Sequence, residues 1–287
     1  MFLVSGVDLV VAACRNGVIG AFPTANCRSV EELDAWLTAI RAAEAPAPWC
    51  ANLIVHRSNP RMRDDLSVLL RHKPELVITS VGSPAGVVAP LHDAGALVFS
   101  DVASIRHAER AIEAGADGLI LLTAGAGGQT GWLNPFAFVR AVRRFFTGPL
   151  VLAGGIADGQ ALVAAQALGC DFGYMGTRFI ATTESMASPE YKQMLVESNA
   201  DDVLLTRAFT GLQTNMLRPS IVAAGLDPDN LPERGGIDVA ADLAADQPRR
   251  WRDIWSAGHS VSSVDEVVSV ETVIQRVATE YSAARAR

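Results

Sequence analysis

The chain has 287 residues, 49% of them apolar and 19% charged, with a formal net charge of −7. That length and apolar content supply a large buried core and leave one or two domains open. The acidic balance gives no basic footprint for nucleic acid or for an anionic membrane surface, so the expected partners are small molecules and other copies of the chain, as in a homodimer.

Short apolar or β-branched runs alternate with longer helical patterns along the chain, the signature of a parallel sheet buried on both faces by crossover helices. Residues 8–15 read as a helix. A strand follows over 17–23 (GVIGAFP), then a helix over 29–43 whose Ser29 and Glu32 fit a capping box. Further strands are predicted over 50–55, 75–81, 96–100, 118–123, 149–152 and 172–175. Helices are predicted over 60–71, 104–114, 135–146, 159–168, 188–198 and 264–285, with a short one ending near 94. Seven strands is one fewer than a closed (β/α)8 barrel requires. Residues 1–6 read as the end of a truncated first strand and its loop, with an upstream segment missed or removed. An open doubly wound sheet is the runner-up, but no switch point is visible in the order of units. Residues 201–255 break the rhythm, being rich in Pro, Asp and Arg. They read as an excursion between the eighth strand and the last helix, a lid packed on a barrel made of 1–200 and 256–287, with a solvated connector as the alternative.

Cys14, Cys27, Cys50 and Cys170 lie far apart, with no C-x-x-C pair and no H-E-x-x-H run. Neither a metal site nor a disulfide framework is expected, and scattered apolar thiols fit a reducing cytoplasm. The first eleven residues lack a positive n-region and a cleavage site, and no window reaches about 18 uninterrupted apolar residues. Export and a membrane span are therefore not expected.

Two glycine-bearing strand ends, Ala153-Gly154-Gly155 and Met175-Gly176-Thr177, carry the strongest chemical signal. At the C-terminal face of a barrel such loops cradle phosphate, because glycine lets backbone N–H groups approach the oxygens and a following helix adds its dipole. A flavin or a phosphorylated sugar would both fit. A second glycine-rich run, residues 123–132 (TAGAGGQTGW), lacks the G-x-G-x-x-G spacing of a dinucleotide fingerprint. It would let backbone press against a flat ligand while Gln129 and Thr130 offer hydrogen bonds, the alternative being a mobile linker.

Several stretches together resemble the nitronate monooxygenase family: Met1, Ala51-Asn52-Leu53, Ile78-Thr79-Ser80, Gly115-Ala116-Asp117, Ala126-Gly127-Gly128, residues 153–159 (AGGIADG), residues 175–179 (MGTRF) and Ala257-Gly258. The resemblance implies a flavin mononucleotide (FMN)-dependent oxidoreductase that oxidises alkyl nitronates with dioxygen. It implies phosphate held by Gly154, Gly155, Gly176 and Thr177. By the same resemblance Met1, Asn52, Ser80, Gly127, Gly128 and Met175 lie along the cofactor.

The sequence departs from the family where the glycine loop usually carries histidine and this chain has Gln129. An amide donates hydrogen bonds but cannot act as a general base, so activity is expected to favour preformed nitronates. His259, in the late Ala-Gly-His-Ser run, is a candidate to approach the substrate and stand in for the base, with a surface histidine as the alternative. His56, His72, His92 and His107 have no helpful spacing. Trp132, Phe136 and Phe138 read as core, or as the wall of an apolar pocket. Residues 249–255 (RRWRDIW) read as a lid or subunit contact. The rival functions are an NAD(P)H-dependent flavin reductase of quinones or enoyl thioesters, a flavin- or phosphate-binding protein with little chemistry, and a phosphosugar isomerase or synthase.

Overall fold

A computed structural model describes residues 1–232, 234–237, 239–240 and 254–286. Its main sheet has seven parallel strands: β1 Gly20–Pro23, β2 Trp49–Ile54, β3 Leu76–Ser80, β4 Leu97–Val102, β5 Gly118–Leu122, β7 Leu150–Ala153 and β8 Phe172–Tyr174. They are ordered as they occur in the chain. No strand order reverses, which excludes the doubly wound alternative and leaves a curled (β/α)8-type barrel.

Period-two alternation explains how one short strand serves two cores. In β5, Leu119 and Leu121 pack outward with Phe138, Val139 and Val142. Ile120 and Leu122 instead point into the barrel, joining Cys50, Ile78, Phe99, Val151 and Ala153 in an interior cluster that Ala21 and Tyr174 extend to both ends of the sheet. A single cluster drawn from β1 through β8 is the mark of a sheet curled on itself.

The helices lie outside: α1 Val7–Arg15, α2 Val30–Ala42, α3 Met62–His72, α4 Val88–Asp93, α5 Ile105–Glu113, α6 Pro135–Val142 and α7 Gly159–Leu168. Ser29 caps α2 by accepting from the Glu32 N–H, but the Glu32 carboxylate turns to the N–H of Arg28 rather than of Ser29, so the expected box is half made. After β8 come α8 Thr177–Ile180 and α9 Pro189–Glu197, and α11 Val270–Arg285 closes the chain. The last helix begins six residues later than the sequence suggested. Ser269 caps it, and the Glu184 carboxylate accepts from Val270 N–H.

Two sequence expectations are corrected. Residues 1–5 hold turns at 2–4 and no strand, rather than the end of one. They bridge the open side of the sheet, with Ser5 Oγ donating to Ala21 O at 2.6 Å and Val4 O accepting from Met186 N–H. The excursion is also not devoid of strands. Its β9 Val203–Thr206 and β10 Thr214–Leu217 form an antiparallel sheet with β6 Gly128–Gln129, and α10 Arg218–Ala223 follows. The four residues of β10 are all buried, so no alternating pattern marked them. Of the run 249–255, only Ile254 and Trp255 lie within the described residues. No helix among the described residues is long and apolar enough to cross a membrane.

Candidate active site

A cavity opens at the C-terminal ends of the strands, as expected where the strand-to-helix loops of a barrel converge. Met1, Asn52, Ser80, Gly127, Gly128, Gln129, Gly154, Gly155, Met175, Gly176 and Thr177 all line it. The structure thus brings together every residue expected to hold cofactor or substrate except His259 and Thr130, whose buried hydroxyl is turned to Thr123 O instead.

On the β5, β7 and β8 side the lining is backbone. Gly154 has φ +119°, and a β-carbon there would lie 2.6 Å from Thr123 Oγ1 and 2.9 Å from Ala126 N, so only glycine lets β7 turn away beneath the loop. The N–H groups of Gly154, Gly155, Gly176 and Thr177 have no hydrogen-bond partner among the described residues. Unpaired donors converging on a cavity are what a phosphate requires. A β-carbon on Gly176 would lie 3.6 Å from Met1 Sδ, which sets Met1 beside the same loop.

The glycine-rich run is held rather than mobile. Gly128 and Gln129 pair with Asn215 and Thr214, Asn215 Nδ2 donates to Ala126 O at 2.8 Å, and Thr130 Oγ1 closes the loop onto Thr123 O. Residues 257–258 cross it so tightly that a β-carbon on Gly127 would sit 2.7 Å from Gly258 N. Gly258 N–H donates to Thr177 Oγ1 at 2.8 Å, tying this crossing to the β8 loop. The Gln129 amide makes no hydrogen bond to the described chain and remains available to a ligand. Arg178 is buried and anchors the loop from below, donating to Glu266 O at 2.9 Å.

On the β2, β3 and β4 side the lining is polar side chain. Ser80 Oγ donates to Asn52 Oδ1 at 2.7 Å, and Asn52 Nδ2 donates to Asp101 Oδ2 at 3.3 Å. The hydroxyl fixes the amide's orientation and so turns its NH2 to the carboxyl. Asp101 Oδ1 is buried with no partner. Burial pushes the Asp101 carboxyl up to about 7, against the opposing hydrogen bond from Asn52. Sequence reasoning missed Asp101, although alternation from inward-facing Phe99 places it on the barrel's inner face. Val81, next along the rim, holds φ +59°, an uncommon conformation for a β-branched residue.

His259 lies elsewhere. It is exposed, its N–H donates to Gly125 O at 2.9 Å, its ring lies against Gly125, and it is not among the residues that line the cavity. Trp132 and Phe136 are 70% and 63% exposed, so they are neither core nor pocket wall, whereas Phe138 is core. All four cysteines are free and buried, and burial pushes Cys27 up to about 12 and Cys170 up to about 11. His72 and His92 pair with Asp34 and Asp117. Among the described residues no cluster of His, Cys, Asp or Glu could hold a metal ion.

A family model described as nitronate monooxygenase matches residues 54–280. The chain belongs to the nitronate monooxygenase family. The family is one of oxidoreductases that work with flavin, and the backbone cradle with its unpaired donors suits the phosphate of such a group. A nitronate monooxygenase of Paraburkholderia phytofirmans is 32% identical over 62% of this chain and 51% of its own length. A (3aS,4S,5R,7aS)-5-hydroxy-7a-methyl-1-oxo-octahydro-1H-indene-4-carboxyl-CoA dehydrogenase of Mycobacterium tuberculosis is 27% identical over 76% of this chain and 61% of its own. The chain thus spans about half to three fifths of the length of these relatives. Over the whole chain, the solved structure of FabK from Thermotoga maritima superposes with a TM-score of 0.83 at 26% identity, covering 92% of that protein. The barrel described above is thus shared with a solved structure along the whole chain.

Proposed function

We propose that this chain is an FMN-dependent oxidoreductase that oxidises alkyl nitronates with dioxygen. The observation that carries the reading is the convergence of four unpaired backbone N–H groups and the free Gln129 amide on one cavity, in a chain whose family model covers 54–280. Gly154, Gly155, Gly176 and Thr177 would hold the FMN phosphate, with Asn52 and Ser80 along the ring system. The chemistry FMN supplies when bound is acceptance of the substrate's electrons and their delivery to dioxygen.

The protein's own work is binding and orientation. No Lys, Arg or His side chain lines the cavity among the described residues, so an anionic nitronate would be held by neutral donors, the Gln129 NH2 foremost. Ile237, Val239 and Ile254 of the excursion add apolar lining to the cavity, which would shield bound substrate from water and fits the role of a lid. The single-domain arrangement, with 201–255 serving the barrel rather than standing alone, belongs to the same proposal.

A second reading is favoured by the likeness to FabK and to the CoA dehydrogenase: an NAD(P)H-dependent flavin reductase of enoyl thioesters or quinones. Oxygen consumption tests the two. Uptake driven by propionate 3-nitronate without nicotinamide supports the nitronate reading, whereas steady NADH oxidation without a nitronate supports the reductase.

A further inference from the structure

Asp101 is the feature of the cavity that the cofactor-binding scheme leaves unused. It is the one carboxyl among the lining residues described. The other titratable side chains of the lining are two tyrosines. Tyr191 is occupied, its hydroxyl donating to Ser256 O and accepting from Ser256 N–H, and burial drives the Tyr174 hydroxyl far above the neutral range. The Met1 nitrogen, Cys50 and Tyr174 are the other titratable groups within electrostatic reach of Asp101, and burial also drives the Cys50 thiol up, so it stays uncharged.

We propose that Asp101 is the catalytic base of this site, removing the α-proton of a neutral nitroalkane so that the cavity makes its own nitronate. The substrate's C–H bond breaks, an O–H bond forms on the carboxyl, and the C–H electron pair moves onto the nitro group. The proton later leaves to solvent, and no oxidant is consumed in this step. The inference rests on the nitronate-oxidising reading and widens its substrate class from nitronates to their conjugate acids, which Gln129 alone cannot deprotonate.

Three observations support the assignment. Asp101 sits on the inward face of β4 beside Asn52 and Ser80, whose hydrogen bonds leave the carboxyl with a single 3.3 Å donor. Its Oδ1 has no partner at all. An ionised carboxylate so poorly supported, with no cationic side chain in the cavity lining, gains by taking a proton. Burial accordingly raises it to about 7, where a general base is most effective at neutral pH.

The test is exchange of the α-hydrogens of nitroethane in D2O, followed by NMR with the purified full chain. Wild type is expected to accelerate exchange over buffer, and Asp101→Asn to lower the acceleration by on the order of 10²–10⁴-fold. Equal exchange by a folded variant that melts cooperatively, or no acceleration by wild type, overturns the proposal. Should Asp101→Asn not fold, the wild-type exchange rate decides: a rise through about pH 7 supports the proposal and a flat profile overturns it. Anaerobic bleaching by preformed propionate 3-nitronate separates the two claims. Bleaching together with unaltered exchange in the variant sinks Asp101 alone, and absence of flavin sinks the functional reading while exchange still judges Asp101.

Discussion

On the β5, β7 and β8 side of the cavity the chain presents backbone, and on the β2, β3 and β4 side it presents side chains. The first side is built from glycines packed against other backbone, so its geometry is set by what a β-carbon would strike. The second is built from Asn52, Ser80 and Asp101, standing on strands whose backbone any residue could adopt. The contrast teaches where substitutions act: on the glycine side through folding and cofactor retention, on the polar side through protonation.

The largest effect is expected at Gly127. A β-carbon there meets Gly258 N at 2.7 Å and Ala257 C at 3.0 Å, both backbone, so Gly127→Ala should cost about 2–3 kcal/mol and release the flavin, read by thermal melting and by absorbance of the purified variant. Gly155→Ala sharpens the point. Its β-carbon would meet nothing within 4 Å but its φ is +76°, so the strain alone should cost about 1–2 kcal/mol, less than at Gly127.

On the polar side the expected change is one of pH dependence. The folded-state pKa of Asp101, about 7, lies above the usual aspartate value of about 3.9. Between those values the folded chain holds a proton that the unfolded chain has lost, so stability falls as pH rises through that window. Asp101→Asn escapes the penalty. Its melting temperature relative to wild type should rise from pH 4 to pH 8, and a constant difference would break the assignment of Asp101 as a poorly supported carboxylate.

The smallest effect is expected away from both sides. Asp158 caps α7 by accepting from Ala161 N–H at 2.7 Å, so Asp158→Ala should cost about 1 kcal/mol with flavin binding retained, as measured by melting and absorbance.

Much of this architecture was legible in the sequence because it is local. The strand and helix rhythm, the Ser29 cap and the two glycine-bearing strand ends follow from neighbouring residues. The backbone side of the cavity was legible for the same reason, since glycines clustered after strands leave a visible mark. What was hidden depends on contacts distant in sequence. Thr214–Leu217 looks like a strand only once its partners Val203–Thr206 and Gly128–Gln129 are in place. His259 carried a plausible signal in Gly-His-Ser, yet the crossing of residues 257–258 over Gly125–Gly127 turns its ring outward. Asp101 carried a weak one, because a single acidic residue near a strand end is usually solvated, and its burial depends on Asn52 and on the barrel's closure around it.

The most direct measurement is the visible spectrum of the purified protein after FMN reconstitution, followed anaerobically on addition of propionate 3-nitronate and, in a separate sample, of NADH. Bound FMN bleached by the nitronate alone is the expected result. A flavin reduced only by NADH, or a protein that retains no FMN, would contradict it.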